Sequence, residues 1–160
     1  MQEAEHIIGP ESAATLPELF QERVRRSPEA CAYRFFDAIN GVWTDCSWNA
    51  MAKDVARCRA ALAKEKLKPG DKIAIMARNS RYWVIFDQAA LSLGLIVVPV
   101  YTEDRADNVA YILDNAEVKL LVIGGDEQWQ DIHESLQSLS QLKRIITIAE
   151  CKKLGEKRLL

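Results

Sequence analysis

Three short groups of residues follow apolar runs of this chain and could bind a phosphate or a metal ion. Gly124-Gly125 follows the run KLLVI, and adjacent glycines let backbone N–H groups approach a phosphate. The acidic pairs Glu103-Asp104 and Asp126-Glu127 also follow apolar runs, and carboxylates in such places can hold magnesium, as in a phosphoacceptor receiver module. Because no lysine followed by Ser or Thr completes the glycine turn, we interpret Gly124-Gly125 as a strand-to-helix turn capped by Asp126. We interpret the acids as residues that stabilise helix starts.

The stretch GLIVVPVYTEDRADNVAYIL, residues 94 to 113, runs an apolar strand into an acidic turn and then a helix. In open α/β proteins, ligands bind beyond the carboxyl ends of such strands, where the strand order reverses. Tyr101 and Thr102, together with Asn79 after the run IAIMA, are therefore the candidate ligand-binding residues. Aromatic side chains are more often structural, so packing is the expected role of Tyr101 itself.

The histidines and cysteines form no recognisable catalytic or metal-binding motif. His6 lies near the N-terminus, and His133 lies on an amphipathic helix, where a partly exposed position is expected. The cysteines, at positions 31, 46, 58 and 151, fit neither a paired-thiol motif nor a zinc spacing. We therefore predict no catalytic residue and no metal site in this chain, and a reduced, cytoplasmic setting.

The composition narrows the classes of protein further. The 160 residues carry a net charge of -2 and form no basic stripe, so we expect no nucleic-acid partner. The N-terminus lacks the basic start and apolar run of a secretory signal. The longest apolar stretch, AALSLGLIVVPVY, is interrupted by Gly94 and Pro99 and is too short to span a bilayer. We expect one compact core and at most peripheral contact with the inner face of a membrane.

The fold that must position these residues is predicted by four apolar runs that alternate with helical patterns. IAIMA, IVVPV, KLLVI and RIITIA begin near residues 73, 97, 120 and 145, as in βαβ units whose parallel sheet is covered by helices on both faces. Three helical stripes support this prediction, namely Met51, Val55, Cys58 and Leu62; Ala106, Val109, Ala110 and Leu113; and Trp129, Ile132, Leu136 and Leu139.

A different pattern precedes the predicted sheet. Thr15 and Glu18 form a capping box at the start of a helix. The runs AYRFFDAI and VWTDCSW flank Asn40-Gly41, which predicts a β-hairpin with a two-residue turn. The predicted fold class is α/β, with parallel-sheet βαβ layers flanked by helices and preceded by an N-terminal helix and a β-hairpin. We divide the chain into a flexible tail (1–14), an α/β subdomain (15–150) and a linker (151–160) that stops where another segment should start.

The helix predicted over Arg81 to Gly94, RYWVIFDQAALSLG, carries apolar residues around most of its girth. Such a helix is buried on more than one side. We expect little within this chain to cover it, so the remainder of a larger protein should pack on it. A homodimer is the other arrangement left open.

Several patterns, in order along the chain, resemble a known family. WTDCSWNAMAKDVARCRAAL, KPGDKIAIMARNSRYWVIFDQAALSLGLIVVPVY and DNVAYILDNAEVKLLVIGG resemble the N-terminal region of long-chain fatty-acyl-CoA synthetases, in the AMP-binding, adenylate-forming superfamily. The resemblance covers residues 15 to 149. Its most specific elements are Pro69-Gly70-Asp71, Asn79 with Trp83, and Val98-Pro99-Val100-Tyr101. Ser-Arg-Tyr stands between Asn79 and Trp83, where the family commonly has Arg-Pro-Glu, which leaves the acyl-chain length open.

The resemblance implies a function for a protein larger than this chain. Enzymes of the family are ligases that join a fatty acid to ATP, with magnesium, and pass the acyl adenylate to coenzyme A. Their phosphate-binding loop, a Ser/Thr/Gly-rich segment ending in Pro-Lys-Gly, does not occur in this sequence. We therefore expect an N-terminal portion that is inactive by itself and binds none of these cofactors alone. The alternative is a freestanding, flavodoxin-like interaction or regulatory module.

Overall fold

The structure of the protein is a computed structural model that describes residues 7–37 and 40–149. Its elements in chain order are α1 (Leu16–Arg26), β1 (Cys31–Asp37), β2 (Val42–Ser47), α2 (Trp48–Lys64), β3 (Lys72–Met76), α3 (Arg81–Leu91), β4 (Ile96–Pro99), α4 (Ala106–Asn115), β5 (Val118–Ile123), α5 (Asp126–Ile132) and β6 (Arg144–Thr147). The predictions for His6, Cys151 and the linker 151–160 lie outside the described residues. Across residues 7–37 and 40–149, no helix combines the length and apolar character that a bilayer span requires.

The centre of the fold is a four-stranded sheet in the order β4-β3-β5-β6, and all neighbouring strands run parallel. The predicted α/β class with parallel βαβ layers is confirmed. Side chains of β3 and β5 alternate between two buried faces, because successive residues of a strand point to opposite sides. One face carries Ile73, Ile75, Leu120 and Val122, which pack with residues of α2 and α3. The other carries Ala74, Met76, Leu121 and Ile123, which pack with residues of α4 and α5.

An N-terminal helix and a β-hairpin precede the sheet, as predicted. Thr15 Oγ1 accepts a hydrogen bond from Glu18 N, and Glu18 Oε2 accepts one from Thr15 N, which completes the capping box of α1. The predicted two-residue turn at Asn40-Gly41 is wrong, because such a turn requires Val42 to pair with residue 39, whereas Val42 pairs with Asp37. The carboxylate of Asp37 accepts a hydrogen bond from Asn40 N (3.2 Å), and this local bond favours the observed register.

The segment between β5 and β6 contains a shorter helix than its apolar residues Trp129, Ile132, Leu136 and Leu139 predict. Helix α5 ends at Ile132, and turns follow over residues 133–138. Serines at positions 135, 138 and 140 explain the early end, since their hydroxyls compete for backbone hydrogen bonds and disfavour helix interiors. Leu136 N still donates to Ile132 O (3.2 Å), so both side chains remain in the core although Leu136 lies outside the helix.

Helix α3 is shorter and better covered than its sequence indicates. It ends at Leu91 rather than Gly94. Three of its side chains are fully or nearly buried, namely Ile85, Ala89 and Ala90. The expectation that little in this chain covers the helix is wrong, because α1 and α2 both contact it. The exposed part of α3 includes Tyr82, whose side chain remains 43% exposed.

Candidate functional site

The three candidate ligand-binding residues line one cleft. Asn79, Tyr101 and Thr102 border a space of about 420 Å³ at the carboxyl ends of β3 and β4. The other lining residues are Ala77, Arg78, Trp83, Pro99 and Val100. Sequence reasoning does not single out Arg78 or Trp83 as ligand-binding residues, although both belong to the segment that connects β3 to α3. Their closeness in sequence to Asn79 is the signal that could have found them.

The end of the sheet and the start of α3 fix the walls of this cleft. Val100 N donates to Ile75 O (3.0 Å), which holds the chain beyond β4 beside β3. On the other wall, Ser80 Oγ accepts a hydrogen bond from Trp83 N (3.3 Å) and caps α3. Neither of these two hydrogen bonds involves Arg78, the charged residue that lines the cleft.

Tyr101 does not have the packing role expected for it within the described residues. Its side chain is 84% exposed. The chain turns directly after it, where Asp104 N donates to Tyr101 O (3.3 Å). An aromatic ring with a hydroxyl group, exposed at the end of a sheet, offers both apolar area and a hydrogen-bonding group to a ligand or a neighbouring segment.

The point where the strand order reverses lies one strand away from Tyr101. From β3 the chain crosses to β4 at one edge of the sheet, and from β5 it crosses to β6 at the opposite edge. The strand order therefore reverses between β3 and β5. A second cleft of about 360 Å³ lies there. Its lining residues are Ala77, Arg78, Ser80, Tyr82, Gly124, Glu127, Gln128 and Ile148. Arg78 therefore borders both clefts.

The Gly124-Gly125 turn connects β5 to α5, with one correction to its predicted capping. Gly125, not Asp126, is the N-cap, and Asp126 is the first helical residue. Acids in this first turn complement the positive end of the helix dipole. A Cβ atom at Gly124 would lie 2.7 Å from Gln128 Oε1, so the glycine leaves room for a buried amide.

The acidic pairs do not assemble a metal site in the described part of the chain. Within residues 7–37 and 40–149, no three side chains of His, Cys, Asp or Glu are grouped to hold a metal ion. Asp104 Oδ1 instead accepts hydrogen bonds from Arg105 N and Asn108 Nδ2, 3.1 Å each, at the start of α4. His133 is partly exposed, as expected, and its ring lies beside that of Trp129, with centroids 5.5 Å apart. These contacts give no support to a magnesium-dependent receiver.

Asp87 is a titratable group of α3 that burial perturbs. Burial raises the pKa of Asp87 above its ordinary value, although Gln88 Nε2 donates a hydrogen bond to its carboxylate (3.3 Å). Burial and the nearby Asp87 in turn raise the pKa of Tyr33 on the hairpin. The folded state therefore favours the protonated form of Asp87.

We expect Asp87→Asn to stabilise the protein increasingly as the pH rises. The folded state binds the Asp87 proton more tightly than the unfolded chain does. The contribution of Asp87 to stability is therefore lost as the pH rises from about 4 through the folded pKa. Asparagine does not titrate, so the difference in free energy of unfolding between the variant and the wild type should grow over that window. Urea denaturation at a series of pH values measures this difference.

Asp45→Asn is the control of opposite sign for this prediction. The hydrogen-bonded Arg34 guanidinium lowers the pKa of Asp45, so the stability that Asp45 contributes is present at neutral pH and lost in acid. The Asp45 variant should therefore lose stability relative to the wild type as the pH rises. If the difference in free energy of unfolding between Asp87→Asn and the wild type does not change with pH, burial does not raise the pKa of Asp87.

Comparison with known proteins identifies this architecture. A mutant form of coronafacic acid ligase from Pectobacterium brasiliense superimposes with a TM-score of 0.75 at 17% identity, over 89% of this chain and 27% of that one. A fatty acyl CoA synthetase of Mycobacterium tuberculosis gives a TM-score of 0.72 at 21% identity, over 82% of this chain and 26% of that one. The fold is thus that of the N-terminal region of adenylate-forming enzymes.

The family model described as AMP-binding enzyme matches residues 20–159, and the chain belongs to this family. A human long-chain-fatty-acid–CoA ligase is 30% identical over 145 residues, which cover 89% of this chain and 21% of that protein. A long-chain-fatty-acid–CoA ligase of Mycobacterium bovis is 27% identical over 128 residues, 80% of this chain and 21% of that protein. The chain therefore spans about one fifth of the length of these curated relatives.

Proposed function

We propose that this chain is the N-terminal portion of a long-chain fatty acid–CoA ligase. The complete enzyme would activate a fatty acid with ATP and magnesium to an acyl adenylate and then transfer the acyl group to coenzyme A. The observation that carries the proposal is the family match over residues 20–159, combined with relatives that are long-chain-fatty-acid–CoA ligases. The proposed setting is the cytoplasm, with at most peripheral contact at the inner face of a membrane.

In this proposal the chain supplies a wall of the substrate cleft and no catalytic group. The described residues do not fit Mg-ATP, because the Gly124-Gly125 turn is followed by no partnered lysine and no three metal ligands are grouped among them. The remainder of the same enzyme would pack on the part of the segment Arg81 to Gly94 that α1 and α2 leave exposed, and would also lie against the carboxyl edge of the sheet. There the exposed rings of Tyr101 and Tyr82 and the charged side chain of Arg78 border the two clefts.

Titration calorimetry of the 160-residue chain with Mg-ATP tests the scaffold part of this proposal. We expect no saturable binding and no release of pyrophosphate when a fatty acid is added. Tight, stoichiometric binding of Mg-ATP, or formation of acyl adenylate by this chain alone, would contradict the claim that the phosphate site lies elsewhere.

The role of the cleft is tested in a protein that carries this chain together with the remaining ligase sequence. Tyr101→Ala should lower kcat/KM for acyl-CoA formation by about tenfold, since a buried aromatic contact in a complex contributes on the order of 1–2 kcal/mol. Its stability should change by no more than roughly 0.5 kcal/mol, because the side chain is exposed in this chain. Tyr111→Ala, at an exposed tyrosine of α4 outside the cleft, is the matched control and should leave kcat/KM unchanged.

One structural observation favours the second candidate, a freestanding flavodoxin-like module. The order β4-β3-β5-β6 reproduces the first four strands of the flavodoxin-like order 2-1-3-4-5. Such a module should be a monomer that melts in a single cooperative transition and exposes no apolar patch. The ligase portion should self-associate or bind a hydrophobic dye, so light scattering and dye binding distinguish the two candidates.

A further inference from the structure

Basic side chains gather at the amino edge of the sheet, where the four parallel strands begin. They come from three segments that meet there, namely 64–72, 117–119 and 143–144, which we call the amino-edge surface. Lys143 N donates to Lys119 O (2.9 Å), and Arg144 Nε donates to Glu65 Oε2 (2.9 Å), so contacts join the three segments. The surface carries seven cationic and three acidic side chains, a net charge of +4. Because the whole chain carries -2, the other residues together carry -6.

The three acids of the amino-edge surface are already used within it. They form the ion pairs Asp71–Lys119 (2.6 Å), Glu65–Arg144 (2.9 Å) and Glu117–Lys72 (3.9 Å). Four exposed lysines form no ion pair with residues 7–37 or 40–149, namely Lys64, Lys66, Lys68 and Lys143. Asp114, an exposed acid near the end of α4, lies close by, since its carbonyl accepts from Glu117 N (2.9 Å). A net positive charge therefore remains for a partner outside the chain.

Ile96 places an exposed apolar side chain beside these lysines. It begins β4 and is 48% exposed, and its backbone N donates to Asp71 O (2.9 Å). The sequence does not reveal this combination, because Lys68 and Lys143 lie 75 positions apart. Only the common starting edge of the parallel strands brings the two lysines together.

We propose that the amino-edge surface docks on a lipid bilayer whose headgroups carry negative charge. Clusters of four or more cationic side chains attract anionic lipid surfaces, and an apolar side chain among them enters the boundary between headgroups and acyl chains. Six of the seven cations are lysines, which act as point charges and suit a diffuse anionic surface. Arginine, with its planar fork of donors, is the better residue for nucleic-acid phosphates, and the single arginine here is paired with Glu65.

This inference rests on the peripheral membrane setting of the proposed function and names the surface that makes the contact. The proposed substrate cleft lies at the carboxyl ends of β3 and β4, at the other end of the same strands. Docking through the amino-edge surface therefore leaves the cleft uncovered.

Co-sedimentation of the 160-residue chain with sucrose-loaded vesicles tests the kind of partner. Phosphatidylcholine vesicles with about 30% phosphatidylglycerol should bind the chain at least tenfold more tightly than vesicles of phosphatidylcholine alone, and added salt should reduce this difference. A chain of net charge -2 with evenly spread charges would show the opposite preference. Equal binding to both kinds of vesicle, or no binding to either, would overturn the proposal.

A pair of double variants tests the location of the surface. Lys68→Gln with Lys143→Gln should weaken binding to the anionic vesicles by about thirtyfold, since each lysine at an anionic membrane contributes a factor of about five. Lys53→Gln with Arg105→Gln is the control, because it changes the net charge equally. Lys53 lies in the second turn of α2, and Arg105 precedes α4 without a side-chain capping bond. The control should bind like the wild type.

Two further results would contradict the proposal. Equal affinities of the two double variants would show that binding does not occur at the amino-edge surface. Tighter binding of the chain to a duplex DNA oligomer than to the anionic vesicles would assign this surface to nucleic acid instead. Neither result bears on the ligase proposal, because these experiments measure no catalytic step.

Discussion

Leu120→Ala should lower the free energy of unfolding by about 3–4 kcal/mol, as deletion of a fully buried leucine side chain does in other cores. Leu120 is 0% exposed and lies on β5, a central strand of the sheet, where it packs with residues of α2 and α3. Because helices cover both faces of the sheet, its neighbours cannot collapse freely into the space that the variant leaves. Urea denaturation, followed by circular dichroism, measures the loss.

Leu16→Ala is the matched control for this prediction. Leu16 begins α1 and is 61% exposed, so the same deletion should change the free energy of unfolding by no more than roughly 0.5 kcal/mol. A loss below about 1 kcal/mol for Leu120→Ala would show that β5 is not in a close-packed interior.

Gly94→Ala should destabilise the protein by about 2–3 kcal/mol for two separate reasons. The backbone at Gly94 has φ +72°, a left-handed conformation that costs an alanine on the order of 1–2 kcal/mol. The new Cβ would also lie 3.2 Å from Pro69 Cβ, closer than two carbons normally approach. This contact joins the turn after α3 to the turn before β3, where Gly70 N donates to Gly94 O (2.8 Å). Thermal or urea denaturation measures the combined loss.

Gly41→Ala separates the two causes. Gly41 has a similar φ of +68°, but no atom of residues 7–37 or 40–149 is found within 4 Å of the Cβ it would gain. This variant should therefore lose only the conformational share, about 1–2 kcal/mol. Equal losses at Gly41 and Gly94 would mean that the contact with Pro69 has no energetic effect.

The core of the fold could be predicted from sequence because its signals are local and strong. IAIMA is apolar at every position, and KLLVI is apolar at every position after Lys119, which is typical of strands buried on both faces. Both runs are central strands of the sheet. The capping box at Thr15 and Glu18 fixed the start of α1 because both partners lie within one turn of the helix. Each of these predictions depends on residues a few positions apart.

The predictions that the structure contradicts failed for two reasons. Local hydrogen bonds compete with the predicted elements, and contacts between distant segments are not visible in a local pattern. The hairpin turn and the end of α5 differ from their predictions because the Asp37 carboxylate and the serines after Ile132 offer local hydrogen bonds, which hydrophobic periodicity does not reveal. The cover of α3 depends on α1 and α2, which precede it by many residues, and no periodicity within α3 reveals it.

The candidate site was predictable in part. Asn79, Tyr101 and Thr102 meet because the carboxyl ends of neighbouring parallel strands share one edge. The order of strands in the sheet cannot be read from their spacing, however. The place where that order reverses therefore had to be found in the structure, beside Gly124 and not beside Tyr101.

The position of β3 in the middle of the sheet means that β3 is synthesised before the strands that pair with it. Strand β3 leaves the ribosome before both of the strands that flank it, and its pairing with β5 joins Ile73 to Leu120, far along the chain. Such distant pairing is slow and leaves an apolar strand edge exposed in the meantime. A nascent chain that ends before β5 leaves one edge of β3 unpaired, and we expect the chain to be most prone to aggregation at that stage.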